Sequence, residues 1–269
     1  MRTRFHYSAA VTPPAPLVSI ITPTYRRPQF LAQTRRWIEA QTHRNIEWLI
    51  LDDSPEPCTE FASLSAPDIY YEHAPEKLSI GEKRNRLVAR SRGKYIAHFD
   101  DDDYYAPGYL ATMVRHLEEN DADFANLSSW YLYDLRYDLF GFWNLRLTTG
   151  LHYLCYADGL RMHNFTPQNN AALATNHLGF GFTYVYKKSL WEAIPFPDKD
   201  WGEDREFVNA AVARFKALSI TDQSALVLHV LHKGSTSACF PQYHLPAFLA
   251  AALFEPYNDC LAVFLKQGA

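Results

Sequence analysis

Short apolar runs alternate with helix-spaced segments from residue 16 to residue 120, and that alternation leaves few folds open. "PLVSIITP" (16–23), "IEWLILDD" (46–53), "DIYYEHA" (68–74) and "KYIAHF" (94–99) have the length and β-branched or aromatic content of buried strands. "PQFLAQTRRWIEAQT" (28–42), a segment at about 80–92 and one from Pro107 to about Asn120 carry helical periodicity, the first with proline in its opening turn. "DADFANLSSWYLYD" (121–134) reads as a fifth strand. Strands alternating with helices predict an α/β fold with a doubly wound, mostly parallel sheet. Ligands of such sheets bind in the crevice outside the strands' carboxyl ends. Here the polar residues collect at those ends, as "TPTY", "DDSP" and "DDDD".

Beyond residue 135 the pattern loosens. Residues 136–189 are rich in aromatics, Gly and Asn, and are expected to form irregular structure capping the sheet rather than a linked second domain. The expected organisation is therefore a single domain over 1–269. Its nucleotide-binding half covers about 17–134, its acceptor-side and catalytic half about 135–240, and a C-terminal helical segment about 241–266.

Composition narrows the classes. A chain of 269 residues that is 48% hydrophobic can bury a large core, and a net charge of −4 argues against a general nucleic-acid binder. The four cysteines have no CxxC spacing, which suits reduced thiols in a cytoplasmic protein. No signal peptide is read at the N-terminus, and no window reaches the ~18 apolar residues of a membrane span.

Four consecutive aspartates, Asp100 to Asp103, repel one another unless something neutral or cationic separates them. Mg²⁺ and Mn²⁺ prefer oxygen ligands and are often held by one or two carboxylates, with substrate phosphate and water completing the shell. One or two of these acids would face a cation and another could accept from a ribose, or the run is a plain solvated turn; Asp103 is expected to cap the following helix in solvent. In "LSIGEKRNRLVARSRGK" (78–94), Arg84 shares an arc with Ile80, Leu87 and Val88. A core-facing arginine needs an anionic partner, here expected to be a phosphate or one of the aspartates, with a structural salt bridge as the alternative. Lys83, Arg86 and Arg90 are expected on the wet side. In "WGEDREFVNAAVARF" (201–215), Asp204 leads an inward stripe through Phe207, Val208, Ala211, Val212 and Phe215, with Glu203 outside it. An ionised inward acid at a helix start can serve as a general base or merely complement the dipole. His229 and His232 sit beside a Gly/Ser/Thr loop and read as core or surface residues, with metal binding open for His232. Tyr25 and Trp201 could stack on a base or sugar, or pack as core.

Taken together, "VSIITPTYRRPQFL", "IEWLILDDS", "IGEKRNRLVARSRGKYIAHFDDDDYYAPGYL" and "WGEDREFV" resemble, in order, the motifs of family 2 glycosyltransferases of the GT-A fold. That resemblance implies a nucleotide-sugar donor, a UDP-sugar being the favoured one, and Mn²⁺ or Mg²⁺. It implies nucleotide-sugar contacts at Pro23, Tyr25, Asp53, Arg84, Asp100 and Asp101, metal contacts at Asp102 and His232, acceptor contacts at Trp201 and Glu203, and a catalytic base at Asp204. The expected reaction is inverting transfer to a hydroxyl of a glycan, lipid-linked or protein acceptor, in bacterial-type glycan or glycoconjugate synthesis. A nucleotidyltransferase would be expected to show a glycine-rich loop after the first strand, and "TPTYRRPQF" has no glycine. A non-catalytic nucleotide-sugar-binding module would bind donor without turnover.

Overall fold

The computed structural model describes residues 14–254, apart from 65, 172, 175 and 236. The first half follows the alternation of the sequence: β1 (Val18–Thr24), α1 (Pro28–Glu39), β2 (Ile46–Asp52), a short α2 (Thr59–Ala62), β3 (Ile69–His73), α3 (Ile80–Arg90), β4 (Tyr95–His98), a two-residue β5 (Tyr104–Tyr105), α4 (Tyr109–Glu119) and β6 (Phe124–Asp134). Helix α3 starts where Ser79 accepts a hydrogen bond from the Glu82 N–H at 3.1 Å, an N-cap that satisfies one orphan donor.

The second half adds β7 (Leu139–Asn144), β8 (Gly150–Tyr156), β9 (Gly159–Phe165), β10 (Val185–Lys187), α5 (Lys188–Ala193), α6 (Glu203–Val212), β11 (Ala217–Thr221), β12 (Val227–Leu231), β13 (Tyr243–Leu245) and α7 (Ala247–Leu253). One sheet runs in the order β13-β7-β6-β10-β4-β1-β2-β3, with β11 and β12 also pairing β6. Its centre, β4-β1-β2-β3, is parallel, and β10 is antiparallel between β4 and β6. Thr24 pairs with Asp52 and Ile21 with His98, so β1, β2 and β4 deliver their carboxyl ends to the same edge.

Alternation along the strands builds the core on both faces. Val18, Ile20, Trp48 and Ile50 join Phe61, Phe99 and Tyr109 in one layer, while Ile21, Leu49 and Leu51 join Leu87, Val88, Tyr186 and Phe207 in the other. The expectation of irregular structure after residue 135 is corrected. Residues 139–144 add a strand to the main sheet, and 150–165 form a separate two-stranded ribbon. The ribbon turns at Ala157–Asp158 with Gly159 pairing Tyr156, and the Asp-Gly dipeptide is a turn signal that the aromatic composition masked. Of the C-terminal segment, β13 and α7 are described and residues 255–266 lie outside the described residues. No helix among the described residues is long and apolar enough to cross a membrane.

Candidate active site

The acid loop leaves β4 and is fixed at both ends. The Asp100 N–H donates to the Tyr105 hydroxyl at 3.0 Å, which in turn donates to the Phe182 carbonyl at 2.9 Å. Asp101 accepts from the Thr24 hydroxyl at 2.5 Å. Asp103, expected in solvent, is fully buried. It accepts from His229 Nδ1 at 2.9 Å and from the Val230 N–H at 2.9 Å. The cause is a long-range pairing: β5 runs antiparallel to β12, which brings Asp103 to the strand that carries His229. The Asp103 charge holds the His229 imidazole well above its usual range against the opposing effect of burial.

The other three acids differ. Burial, with Asp103 and Asp102 adding to it against Arg84, pushes Asp100 up to about 7. Burial raises Asp101 to about 6 although Arg27 opposes it. Asp102 goes the other way: Arg27 and then His232 outweigh burial and hold it below the carboxylate range. Gly234 N–H donates to His232 Nδ1 at 3.0 Å, so Nε2 carries the proton that reaches Asp102 Oδ2 at 3.0 Å. Carboxylate oxygens of Asp100, Asp102 and Asp103 lie within 4.8 Å of one another. Those hard oxygen donors fit Mg²⁺ or Mn²⁺. Asp103 is already satisfied by β12, so Asp100 and Asp102 are the residues suited to hold the ion. His232 stands behind Asp102 rather than in that trio.

Asp53 follows β2 and is buried. Lys83 Nζ reaches it at 2.8 Å, the Leu78 N–H at 2.9 Å and Lys77 at 3.0 Å, and these outweigh burial to lower its pKa. Lys77 also lies 3.7 Å from the Tyr25 ring centre, so Tyr25 and Asp53 share one cation. Pro23 sits in β1 one residue before Thr24, and the Thr24 carbonyl accepts from Lys83 at 3.2 Å. Lys83 is therefore buried, not on the wet face. Ile80, Lys83, Leu87 and Ser91 recur at the i, i+3/i+4, i+7 and i+11 positions of the inward stripe, and that spacing was the available signal.

Arg84 is buried as expected, but its ion-pair partner is Glu203. Glu203, expected outside, is 6% exposed, and Asp204, expected inside, is half-buried. A buried guanidinium draws the first acid of α6 inward, overriding the stripe. Asp204 Oδ2 accepts from the Gly181 N–H at 3.1 Å and Oδ1 from the Arg205 N–H at 2.7 Å. Arg84 feels Glu203, Asp100 and Asp204 together, which puts the acid loop and the head of α6 within one electrostatic neighbourhood. Trp201 stands ahead of this helix with 83% of its surface exposed.

Two neighbours carry no strong sequence signal. A Cβ on Gly181 would approach Arg84 Nη2 to 3.0 Å and Asp204 Cβ to 3.2 Å, so a bare backbone is needed between them. Arg27 sits beyond β1 and bonds to Asp101 and Asp102. Its run "YRRPQF" looks like an ordinary helix lead-in, and only the fold discloses its partners.

A mostly parallel sheet with acids gathered at its carboxyl edge is the architecture of GT-A enzymes, and the sequence comparison fixes the family. Residues 19–192 match the model for Glycosyl transferase family 2, and the chain belongs to that family. Glycosyltransferase GlyA of Streptococcus pneumoniae is 24% identical over 241 residues, which are 87% of this chain and 33% of GlyA. Glycosyltransferase GlyG of the same organism is 28% identical over 123 residues, 44% of this chain and 40% of GlyG. The chain thus spans well under two thirds of these relatives. A fragment of S. aureus TarS in complex with UDP-GlcNAc superimposes with a TM-score of 0.59 at 16% identity, covering 81% of this chain and 59% of that one. The mannosyltransferase PcManGT from Pyrobaculum calidifontis, in complex with GDP-Man and Mn²⁺, gives 0.56 at 16% identity, covering 82% and 58%.

Proposed function

We propose that the chain transfers a sugar from a nucleotide-sugar donor to an acceptor hydroxyl with inversion, a UDP-sugar being the favoured donor. The observation that carries this reading is the convergence of the Asp53–Lys83 pair, the acid loop, Arg84 and Asp204 at one sheet edge. Tyr25 and Asp53 would receive the base, with Lys77 moving off them, and Pro23 would border it. Asp101 would face the ribose. Asp100 and Asp102 would hold Mg²⁺ or Mn²⁺, which when bound offsets charge on the diphosphate.

The chain's own residues do the rest. Arg84 supplies fixed positive charge beside the acid loop as negative charge builds on the leaving group. Asp204, steadied by the Gly181 amide, takes the proton from the acceptor oxygen as it attacks the anomeric carbon. Glu203 would act on the acceptor only through Arg84, since its carboxylate is spent on that guanidinium. Trp201 offers an open aromatic face for an acceptor ring. The bound UDP-GlcNAc of TarS and the GDP-Man and Mn²⁺ of PcManGT support this class of donor and cation.

Nucleoside diphosphate release, measured across UDP-, GDP- and dTDP-sugars with Mn²⁺ and a hydroxyl acceptor, tests the reading. Release with one donor class is the expected result. Binding without release would favour a non-catalytic module, and pyrophosphate from a nucleoside triphosphate would favour a nucleotidyltransferase.

A further inference from the structure

Arg27 lies on the loop between β1 and α1 and spends its guanidinium on the acid loop. Nη1 is 3.0 Å from Asp101 Oδ1 and 2.7 Å from Asp102 Oδ2, and Nη2 donates to the Gly234 carbonyl at 3.1 Å. One monovalent charge therefore occupies the same Asp102 oxygen that His232 contacts. The Arg27 side chain is 27% exposed against 13% for Asp102, so it sits at the mouth of the cluster, on the solvent side.

The acid loop is moored independently of it. Thr24 and Thr34 hold Asp101, through its side chain at 2.5 Å and its carbonyl at 3.1 Å, and His229 with Val230 holds Asp103. Four carboxylates in sequence need a counter-charge whenever no divalent ion is present. A guanidinium and a divalent ion cannot both crowd one carboxylate oxygen without strong repulsion.

We propose that Arg27 is an exchangeable counter-charge. It neutralises Asp102 while the cluster holds no divalent cation, yields that carboxylate when a cation enters, and then turns its planar fork to the donor's diphosphate. A guanidinium matches phosphate oxygens bidentately, so a bound diphosphate would offer the released side chain a suitable partner. This inference rests on the reading of the acid loop given under Proposed function.

Calorimetric titration of the full chain with MnCl₂ alone, and then with UDP at saturating Mn²⁺, tests it. Arg27→Gln should bind Mn²⁺ at least about tenfold more tightly than the unaltered chain, because the competing charge is gone. It should bind UDP at least about tenfold more weakly, because a charge-assisted contact is lost. Arg27→Lys should fall between on both measures. Equal or weaker Mn²⁺ binding by Arg27→Gln overturns the proposal while leaving the function standing. An unaltered chain that binds neither Mn²⁺, Mg²⁺ nor UDP removes both.

Should the variants misfold, the unaltered chain still decides. Arginine-directed modification by phenylglyoxal, mapped by peptide mass, should quicken at Arg27 on adding Mn²⁺ and slow again on adding UDP. A rate at Arg27 indifferent to Mn²⁺ overturns the exchange.

Discussion

The acid loop with α3 and the β8–β9 ribbon treat polarity in opposite ways. Around residues 83–84 and 101–103, buried charged groups are ion-paired: Lys83 with Asp53, Arg84 with Glu203, His229 with Asp103, Arg27 with Asp101 and Asp102. Along residues 147–162 apolar groups are exposed instead: Leu147, Leu151, Leu160 and Met162 each keep 40% or more of their surface. Buried ion pairs contribute little net stability but are costly to break, so they hold geometry. Exposed apolar side chains fix almost nothing. The geometry around the acid loop is thus built into the fold, whereas the ribbon leaves an apolar surface in solvent.

The largest effect is expected at the head of α6. Asp204→Asn should lower turnover by about 10²–10⁴-fold while leaving donor affinity near normal. Product release assays alongside UDP calorimetry would measure both. Turnover within a few-fold of the unaltered chain would remove Asp204 from the role of base.

Next comes the ion pair beneath it. Glu203→Ala strands a buried guanidinium and should cost about 3–5 kcal/mol of stability, read as a lowered midpoint in denaturant unfolding. Were Glu203 an exposed helix-start acid, the loss would stay near 0.5 kcal/mol or about that. Gly181→Ala probes the same corner more gently. Its methyl must push Arg84 or Asp204 by a few tenths of an ångström, and turnover should fall about tenfold with a much smaller change in unfolding midpoint.

Most of the central sheet was legible in residues 16–134, because strands buried on both faces read as apolar runs and the helices between them keep a clean period. The second half was less so. β7 folds back on β6 just before it and is closed on its other side by Tyr243–Leu245, and the ribbon turns at Ala157–Asp158; none of these short aromatic-rich strands shows the β-branched run that marks the central sheet. Site residues followed the same divide. The positions of Arg84 and the acid loop were readable from periodicity and strand ends. The inward turn of Glu203, the burial of Asp103 and the reach of Arg27 each depend on a partner more than 70 residues away, which local spacing cannot encode.

A pH test sharpens the donor side. The Asp53 pKa is depressed in the folded chain, so its stabilising contribution is present above its ordinary value near 3.9 and is lost as pH falls through the folded value. Melting temperatures between about pH 5 and pH 2 should therefore drop less steeply for Asp53→Asn than for the unaltered chain. Parallel curves would mean that Lys83 and Lys77 do not hold the carboxylate in solution.

The smallest effect is expected at Trp201, just ahead of α6, and its smallness is what gives it meaning. Trp201 keeps 83% of its surface in solvent, so Trp201→Ala removes little buried area and should change unfolding free energy by no more than about 0.5 kcal/mol. Its ring can still serve a sugar, since an aromatic face packs against C–H groups and needs no prior burial. Acceptor KM should therefore rise several-fold in Trp201→Ala while kcat and donor affinity hold. An unchanged KM would assign recognition to the ribbon instead, where Leu151→Ser and Met162→Ser would be the next substitutions to measure.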